Sequence, residues 1–334
     1  MRIAIDAMGG DYAPLEIVKG AVEAASSLHS VSKIFLVGNS DIIKSELARY
    51  SSVSEKIEIR HASEAIEMCE EPAMAVRRKK DSSIGRAVDL VKSGDADAMV
   101  SAGNTGAVVV AATLKLRTLE GVERPAIATV LPTQGRPFVL IDSGANTDCD
   151  ANLLVQFAAM GSVYSRAILG CSSPVVGLMS IGGEDSKGNE ITKEAFGLLN
   201  KSDLNFRGNV EGHDLFKGET DVVVCDGFVG NVVLKTSESV AHAIGHWMKQ
   251  EFKSNLWRML GSLLLIGALK SMKKKMDPEM YGGAPLLGVN GICIITHGSS
   301  SSRAIYHAIR VAAEAVDQQL NKTIVGELAK KGGN

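Results

Sequence analysis

Short apolar runs rich in Val and Ile alternate along this chain with longer stretches of helical period. Most of the runs lack polar alternation, which is typical of strands covered on both faces in a mainly parallel sheet. The pattern therefore predicts an α/β fold, an α/β/α sandwich around one sheet. The predicted strands are Ile3–Asp6, Ile34–Val37, Ile57–Arg60, Ala98–Ser101, Ile127–Leu131, Phe138–Asp142, Val175–Ser180, Val222–Cys225 and Ile292–Thr296. The predicted helices are Pro14–Ser27, Ala73–Ser93, Gly106–Leu119, Asp150–Arg166, Val229–Gln250 and Ser302–Gln319.

Length and composition fit one large catalytic domain over residues 1–334. The 334 residues are 45% hydrophobic, which is enough to fill a core. A net charge of −2 supplies no general footprint for nucleic acid. The five cysteines show no CxxC spacing, so neither a disulfide framework nor a zinc site is indicated. The first residues do not resemble a signal peptide, and we expect a cytoplasmic protein whose chain begins at or near Met1.

Glycine-rich polar loops follow six of the predicted strands. In open α/β sheets ligands bind outside the carboxyl ends of the strands, so we expect these loops to meet at one cleft. Backbone N–H groups freed by glycine, with Ser, Thr and Asn at helix starts, favour phosphate or another small anion. The alternative is that any βα turn needs such residues. The loops are Asp6–Asp11, Ser101–Gly106, Asp142–Asn146, Ile181–Gly188, Asp226–Asn231 and Thr296–Ser300.

Several side chains in these loops are candidates for chemistry. Lys187 could neutralise an anion or polarise a carbonyl oxygen, or be a solvated lysine. Asn231 could cap a helix or donate to an oxyanion, and His297 could bind phosphate, act as an acid or be a buried hydrogen-bonded histidine. The carboxylates Asp6, Asp11, Asp142 and Asp226 would hold Mg²⁺ only if they converged; we favour turn-capping roles and expect no metal. No GxGxxG follows a strand and no GxxxxGK[ST] occurs, so hydride transfer and nucleotide hydrolysis are unsupported.

One segment is apolar, lysine-flanked and unlike its surroundings. Residues 255–276 form a hairpin-like unit inside an excursion over 255–285, and only 11 uncharged residues separate Arg258 from Lys270. Crossing a membrane needs about 20 apolar residues, so this is no ordinary transmembrane helix. It fits a membrane anchor at the interface, a protein-docking hairpin or an oligomer interface. The contact residues predicted are Leu256, Trp257, Leu260, Leu263, Leu264, Ile266, Lys273, Lys274 and Lys275.

An ordered set of motifs resembles the bacterial phosphate acyltransferase (PlsX) family of phospholipid synthesis over essentially the whole chain. The motifs are Ile3-Ala-Ile-Asp-Ala-Met-Gly-Gly-Asp11, Ser101-Ala-Gly-Asn-Thr-Gly-Ala107, Asp142-Ser-Gly-Ala-Asn146, Asp226-Gly-Phe-Val-Gly-Asn231 and Tyr281-Gly-Gly-Ala-Pro-Leu-Leu-Gly288. The resemblance implies transfer of a long-chain fatty acyl group from acyl carrier protein to inorganic phosphate, giving acyl phosphate. It also implies a fold like isocitrate and isopropylmalate dehydrogenases, no redox cofactor, and a cytoplasmic homodimer peripherally associated with the membrane.

By resemblance, Lys187 and Asn231 act at the reacting carbonyl and phosphate. The residues expected to line the cleft are Asp6, Gly9, Gly10, Asn104, Thr105, Gly106, Asp142, Asn146, His297, Gly298 and Ser299. The acyl phosphate must reach a membrane acyltransferase, a glycerol-3-phosphate acyltransferase. Acidic acyl carrier protein should meet a basic surface, either 273–275 or Arg77–Lys80.

Two competing functions remain on the sequence alone. A phosphate acetyltransferase acting on acetyl-CoA shares the chemistry but gives no reason for the apolar segment. A non-catalytic membrane scaffold that binds a phosphorylated metabolite leaves Lys187 and Asn231 without a shared role.

Overall fold

The computed structural model describes residues 1–275 and 277–331, leaving aside the side chains at 263, 273–275, 278 and 331. Eleven strands are present in this part of the chain: β1 (Arg2–Asp6), β2 (Lys33–Gly38), β3 (Ile57–His61), β4 (Ala98–Ser101), β5 (Ala126–Leu131), β6 (Phe138–Ile141), β7 (Val176–Met179), β8 (Phe206–Val210), β9 (Val222–Val224), β10 (Ala284–Leu287) and β11 (Ile292–Ile295). The helices are α1 (Leu15–Ser27), α2 (Ser40–Leu47), α3 (Pro72–Arg78), α4 (Ser83–Lys92), α5 (Thr105–Leu116), α6 (Ala151–Leu169), α7 (Glu190–Asn200), α8 (Gly227–Lys253), α9 (Leu256–Leu264), α10 (Ile266–Lys275), α11 (Ser302–Asp317) and α12 (Leu320–Lys331), with a 3₁₀ turn at Pro278–Tyr281.

All strands belong to one mixed sheet in the order β3-β2-β1-β4-β11-β10-β5-β6-β9-β7-β8. Pairing is parallel within the group β3-β2-β1-β4-β11 and again within the group β6-β9-β7-β8. Between these groups, β10 runs antiparallel to both β11 and β5, and β5 runs antiparallel to β6. The prediction of a large, mainly parallel sheet between helices is confirmed.

The two parallel groups run in opposite directions. Only residues 132–137 join β5 to β6, with Leu131 opposite Phe138. Parallel strands need a crossover of a dozen or more residues. A connection of six residues can therefore join only antiparallel strands, as a hairpin. The carboxyl ends of β1, β4 and β11 therefore lie at one edge of the sheet, and those of β6, β7 and β9 at the other. The six loops therefore do not share a single edge, and strand direction alone does not bring them to one cleft.

The two faces of the sheet are covered differently. On the first face, one continuous apolar cluster runs under α1, α6 and α11 and includes Ala128 and Ile141. On the second face, there are two separate clusters. One lies under α4 and α5 and includes Ile127 of β5. The other includes Leu131 of β5 and packs against Val229, Val233 and Leu234 of α8. The break between them falls on β5.

The nine predicted strands are all present, with no end shifted by more than one residue. The predicted helix Ala73–Ser93 is wrong as a single element, because the chain breaks at residues 79–82 into α3 and α4. Ser82 caps α4, its Oγ accepting from the N–H of Gly85 at 3.2 Å. The sequence analysis missed β8, β10, α2, α7 and α12.

Residues 255–275 form the two short helices α9 and α10, which follow the 27-residue α8. Several apolar side chains here are exposed, among them Trp257 at 83% and Leu264 at 89%. The predicted contact residues Leu263, Lys273, Lys274 and Lys275 have side chains outside the described part. Within the described residues, no helix has the length and apolarity needed to cross a membrane.

Candidate active site

The first group of predicted residues lies at the carboxyl ends of β1, β4 and β11. The Asp6 carboxyl is fully buried and accepts a hydrogen bond from Ser101 Oγ at 2.7 Å, and burial raises its pKa. Gly9 has no room for a side chain, since a Cβ there would meet the Asp6 carboxyl and lie 2.7 Å from the Gly103 nitrogen. This carboxyl therefore ties together the loops after β1 and β4.

Asn104 organises the neighbouring loops with both ends of its side chain. Its Oδ1 caps α5 by accepting from the N–H of Ala107 at 3.0 Å. Its Nδ2 donates to the carbonyls of Glu67, Met68 and Glu70 at 3.0–3.3 Å. Asn104 is thus a positioning residue, and the adjacent Thr105 is exposed in the first turn of α5.

The loop after β11 closes on the loop after β1. The N–H of Asp11 donates to the carbonyl of Gly298 at 2.8 Å, which brings Gly10 and Gly298 together. The exposed His297 has its Nδ1 2.7 Å from Ser299 Oγ, so the ring is held by its own loop. Gly106 lies against Pro72, the first residue of α3. The structure thus brings together Asp6, Gly9, Gly10, Asn104, Thr105, Gly106, His297, Gly298 and Ser299.

The second group lies at the carboxyl ends of β6 and β9. The fully buried Asp142 carboxyl accepts from the backbone N–H groups of Ile127, Gly144, Ala145 and Asn146 at 2.7–3.2 Å and from Asn146 Nδ2 at 2.9 Å. Burial raises the pKa of this carboxyl, while these donors act in the opposite direction. Asp142 is a structural anchor for the loop, and Asn146 completes it through a bond from Nδ2 to the carbonyl of Pro125 at 2.8 Å.

Asn231 lies beside this loop, one turn inside α8. The helix is capped by Asp226, whose carboxyl accepts from the N–H of Val229 at 2.8 Å, so Asn231 is not the N-cap. Its side chain is exposed and forms no hydrogen bond with the described residues. A Cβ on Gly144 would lie 3.8 Å from Asn231 Oδ1. The amide is therefore free to meet a ligand over Gly144.

Lys187 lies in the loop after β7, the strand that pairs with β9. Its backbone N–H donates to the carbonyl of Glu184 at 3.0 Å, and its side-chain stem packs on Gly182. The side chain is exposed, and its ammonium has no ion pair among the residues that the structure describes. Lys187 and Asn231 thus follow adjacent strands, on the far side of β5 from Asp6.

The two apolar clusters of the second face separate at β5, with α5 packed against one cluster and α8 against the other; this break is called the cleft below. Ala4 and Met99, which precede Asp6 and Ser101 by two residues in β1 and β4, belong to the cluster under α4 and α5, so by alternation Asp6 and Ser101 are on this same face. Thr129, between Ile127 and Leu131, is the one residue of β5 that is not buried. Sequence reasoning missed Thr129, although a hydroxyl inside an apolar strand was a visible signal.

The carboxylates do not form the magnesium site considered above. Asp6 accepts from Ser101, Asp142 accepts from the N–H groups of its own loop, and Asp226 caps α8, so these carboxylates already have other partners. Among the described residues, one group with metal-ligating spacing is Glu211, His213 and Asp214, within 4.8 Å of one another. Asp214 already pairs with the Lys217 ammonium at 2.6 Å, and Glu211 accepts from the N–H of Gly183 at 3.1 Å. We assign no metal there.

Comparison with known proteins places the chain in a class of enzymes. Residues 1–323 match the family described as "Fatty acid synthesis protein". The chain is 51% identical over 339 residues to the phosphate acyltransferase of Pelotomaculum thermopropionicum, covering 100% of this chain and 98% of that protein. It is 49% identical over 332 residues to the phosphate acyltransferase of Dictyoglomus turgidum, covering 99% and 98%.

Solved structures with the same fold are more distant in sequence. A phosphotransacetylase from Streptococcus pyogenes superposes with a TM-score of 0.60 at 20% identity, covering 95% of this chain and 94% of that one. The EutD phosphotransacetylase from Staphylococcus aureus gives 0.58 at 16% identity with the same coverage. These likenesses show the fold alone.

The fold and the family match together define an acyltransferase of fatty acid and phospholipid synthesis. The chain belongs to the phosphate acyltransferase (PlsX) family and is an enzyme of that class. The non-catalytic scaffold is thereby excluded.

Proposed function

We propose that this enzyme transfers a long-chain fatty acyl group from acyl carrier protein to inorganic phosphate. A phosphate oxygen attacks the thioester carbonyl, the tetrahedral oxyanion collapses, and the carrier leaves as a thiolate that takes up a proton. The products are acyl phosphate and free carrier thiol. The observation that carries the proposal is the free amide of Asn231 over Gly144, bordering the cleft between α5 and α8 in a member of this family.

The twist of the sheet allows both groups of loops to serve one substrate. Neighbouring strands rotate by roughly 20–25°, so the six steps from β1 to β9 turn the strand direction by about 120–150°. Because β9 also runs opposite to β1, this rotation swings their carboxyl ends toward the same side. We propose that the loops Asp6–Asp11, Ser101–Gly106 and Thr296–Ser300 form one wall of the substrate cleft, and those containing Asp142, Lys187 and Asn231 form the other.

The proposed reaction requires groups that bind phosphate and a hydrogen-bond donor to the oxyanion, rather than a general base. Phosphate near neutral pH is already a nucleophile once it is held against the carbonyl. In this proposal Asn231 donates from its amide to the developing oxyanion, and Lys187 supplies positive charge to that oxygen or to the departing thiolate. Both side chains are exposed and without competing partners among the described residues, as groups that await a ligand should be.

The surface that receives the carrier is, we propose, the exposed side of α3. Arg77, Arg78 and Lys80 are exposed, and none of them forms an ion pair within the described ranges. Lys79 differs, because its ammonium pairs with the Glu70 carboxylate at 2.5 Å. An acidic carrier is attracted by such a surface.

The placement of α3 links this surface to the cleft. Pro72 lies against Gly106 at the start of α5, and Met68 would be 2.9 Å from a Cβ on Gly298. Met68 and Met74 are 45% and 59% exposed and give the surface an apolar component. Basic and apolar groups beside the cleft mouth suit a carrier that must deliver a bound thioester.

The helices α9 and α10 are proposed as an apolar protruding segment that contacts the membrane. Leu256, Trp257, Leu260 and Leu264 are spaced along one side of α9 and are 47–89% exposed, and Ile266 begins α10 half exposed. Exposed apolar patches of this kind mark interaction sites. Peripheral attachment of a cytoplasmic enzyme would let acyl phosphate pass to a membrane glycerol-3-phosphate acyltransferase.

We also propose a homodimer, supported by α8. Its exposed surface carries Phe228, Val232, Val240, Ile244 and Trp247, each 41–64% exposed. Such an apolar surface suits a second copy of the chain. The single catalytic domain over 1–334 and the finer likeness to isocitrate and isopropylmalate dehydrogenases are part of the same proposal.

Thiol release tests the acyl donor and the docking surface together. The wild type should release thiol from long-chain acyl carrier protein only when phosphate is present, and far faster than from acetyl-CoA. Arg77→Glu with Arg78→Glu should raise the KM for acyl carrier protein by about 10-fold or more, since close charge pairs across an interface couple by about 1.5 kcal/mol or more. The phosphate KM should not change.

A matched pair of charge reversals serves as the control. Lys322→Glu with Lys330→Glu alters two exposed lysines on α12, which packs over the first face of the sheet. This pair should leave all constants unchanged. Equal effects of the two double variants would contradict docking at α3, whereas faster turnover of acetyl-CoA would contradict the long-chain assignment.

A further inference from the structure

A pair of hydroxyls lies on the floor of the cleft between α5 and α8. Thr129 Oγ1 and Ser143 Oγ are 2.7 Å apart, and Ser143 Oγ is 3.1 Å from the carbonyl oxygen of Ile127. Ser143 is buried, whereas Thr129 is partly exposed at the break between the two apolar clusters. The pair therefore presents one hydroxyl to the cleft and keeps the other beneath it.

The protons of this pair can be arranged in two ways. Each hydroxyl has one proton and two acceptor lone pairs. If Ser143 donates to the Ile127 carbonyl, Thr129 must donate to Ser143. The Ile127 carbonyl already accepts from the N–H of Ser143 at 2.9 Å, so Ser143 can instead donate to Thr129 without leaving that oxygen unpaired. The Thr129 proton then points into the cleft.

The neighbouring groups make this position suitable for an anion. Ser143 is followed by Gly144, over which the free Asn231 amide lies. The Asp142 carboxyl is adjacent in sequence, but its oxygens are occupied by the N–H groups of its own loop and by Asn146. An oxyanion above Gly144 would thus meet donors on two sides.

We propose that Thr129, supported by Ser143, is a binding residue that donates a hydrogen bond to an oxygen of the substrate phosphate. This inference rests on the proposed function, since it assigns a subsite within the same cleft. Thr129 binds the phosphate from β5, while Asn231 donates from α8 to the oxygen of the thioester carbonyl. A neutral strand residue so placed contributes to phosphate affinity and adds no charge to the site.

The test is steady-state kinetics with phosphate as the varied substrate and saturating long-chain acyl carrier protein. Thr129→Val keeps the shape and removes the hydroxyl, and it should raise the phosphate KM by about 10- to 100-fold, as expected for a hydrogen bond to a charged group. The KM for the acyl donor should change by less than about threefold. Thr129→Ser restores the hydroxyl and should recover most of the phosphate affinity.

Thr113→Val is the matched control, because Thr113 Oγ1 is partly buried on α5 and donates to its own helix at the Val109 carbonyl, 2.7 Å away. It should leave the phosphate KM unchanged. If Thr129→Val does not fold, Ser143→Ala removes only the supporting hydroxyl and should raise the phosphate KM by a smaller factor.

An unchanged phosphate KM in Thr129→Val, or a fall in kcat alone in that variant, would overturn the inference. So would a Thr129→Ser variant as impaired as Thr129→Val. If Ser143→Ala has to replace Thr129→Val, an unchanged phosphate KM in Ser143→Ala would overturn it too. Failure of the proposed function itself would be distinct, because the wild type would then release no thiol in response to phosphate.

Discussion

Replacement of Asn231 by Ala should separate catalysis from stability, with the two changing in opposite directions. The side chain is exposed, is not the N-cap of α8 and forms no hydrogen bond with the described residues. Ala is favoured over Asn in a helix interior by roughly 0.5 kcal/mol, so unfolding should become slightly harder. Loss of one donor to a developing oxyanion costs about 2.7–4 kcal/mol, or 100- to 1,000-fold in kcat.

The assay compares thermal melting with phosphate-dependent thiol release on the same preparations. Asn231→Asp has nearly the same shape but no donor, and its turnover should fall at least as far as that of Asn231→Ala. Ser239→Ala, at another exposed position of α8, is the control and should keep wild-type turnover. Near-wild-type kcat in a folded Asn231→Ala would refute the role, as would a loss of activity that follows a drop in melting temperature.

Further predictions concern the lysine, the apolar helices and the cysteines. Lys187→Ala should reduce kcat by about 100-fold with an unchanged melting temperature, because the exposed ammonium has no ion pair in the described residues, and wild-type turnover would make Lys187 a surface residue. Trp257→Glu with Leu264→Glu should abolish co-sedimentation with anionic vesicles, while turnover of carrier-bound substrate persists. Continued sedimentation would exclude membrane contact by α9. A monomeric, inactive variant would indicate that α9 belongs to a dimer interface. In the folded protein the exposed Cys69 should react with thiol reagents well before Cys149. Burial raises the pKa of Cys149 to about 11, which leaves about one thiolate per thousand molecules at pH 8. Equal labelling rates of the two cysteines would contradict the burial of Cys149.

The strands of the central sheet were predictable because burial on both faces leaves uninterrupted apolar runs. The two strands that were missed lack this signal. Pro285 lies within β10, and proline is usually evidence against a strand. Gly208 and Asn209 interrupt β8, which is only partly buried at the edge of the sheet. Neither strand could be recognised without its pairing partners.

Part of the reversal of strand direction in the sheet is encoded in the sequence. Only residues 132–137 separate the strands now called β5 and β6, too few for a parallel crossover. That spacing alone predicts that β6 runs antiparallel to β5. The opposite directions of β1 and β6 follow only once the pairing through β4, β11 and β10 is known. The candidate residues lie in two local groups. The placement of one group relative to the other depends on strand direction and twist, which apolar periodicity does not encode.

The roles of individual polar residues were less predictable than their positions. Asp142 and Asn104 are occupied by hydrogen bonds to neighbouring loops, and only the folded chain reveals those partners. Asn231 appeared equally able to cap a helix, and the start of α8 at Gly227 removed that alternative. The threonine at 129 is visible in the sequence as a hydroxyl within an apolar strand, but only the separation of the two apolar clusters around it indicates a role.

The most direct test of the central claim is the stoichiometry of acyl transfer. Purified enzyme is incubated with long-chain acyl carrier protein and labelled phosphate, and acyl phosphate is trapped with hydroxylamine as the hydroxamate while released thiol is counted in the same sample. We predict one hydroxamate per thiol, with both absent when phosphate is omitted. Thiol release that proceeds without phosphate, or without hydroxamate, would mean that the enzyme hydrolyses the thioester and would contradict phosphate acyl transfer.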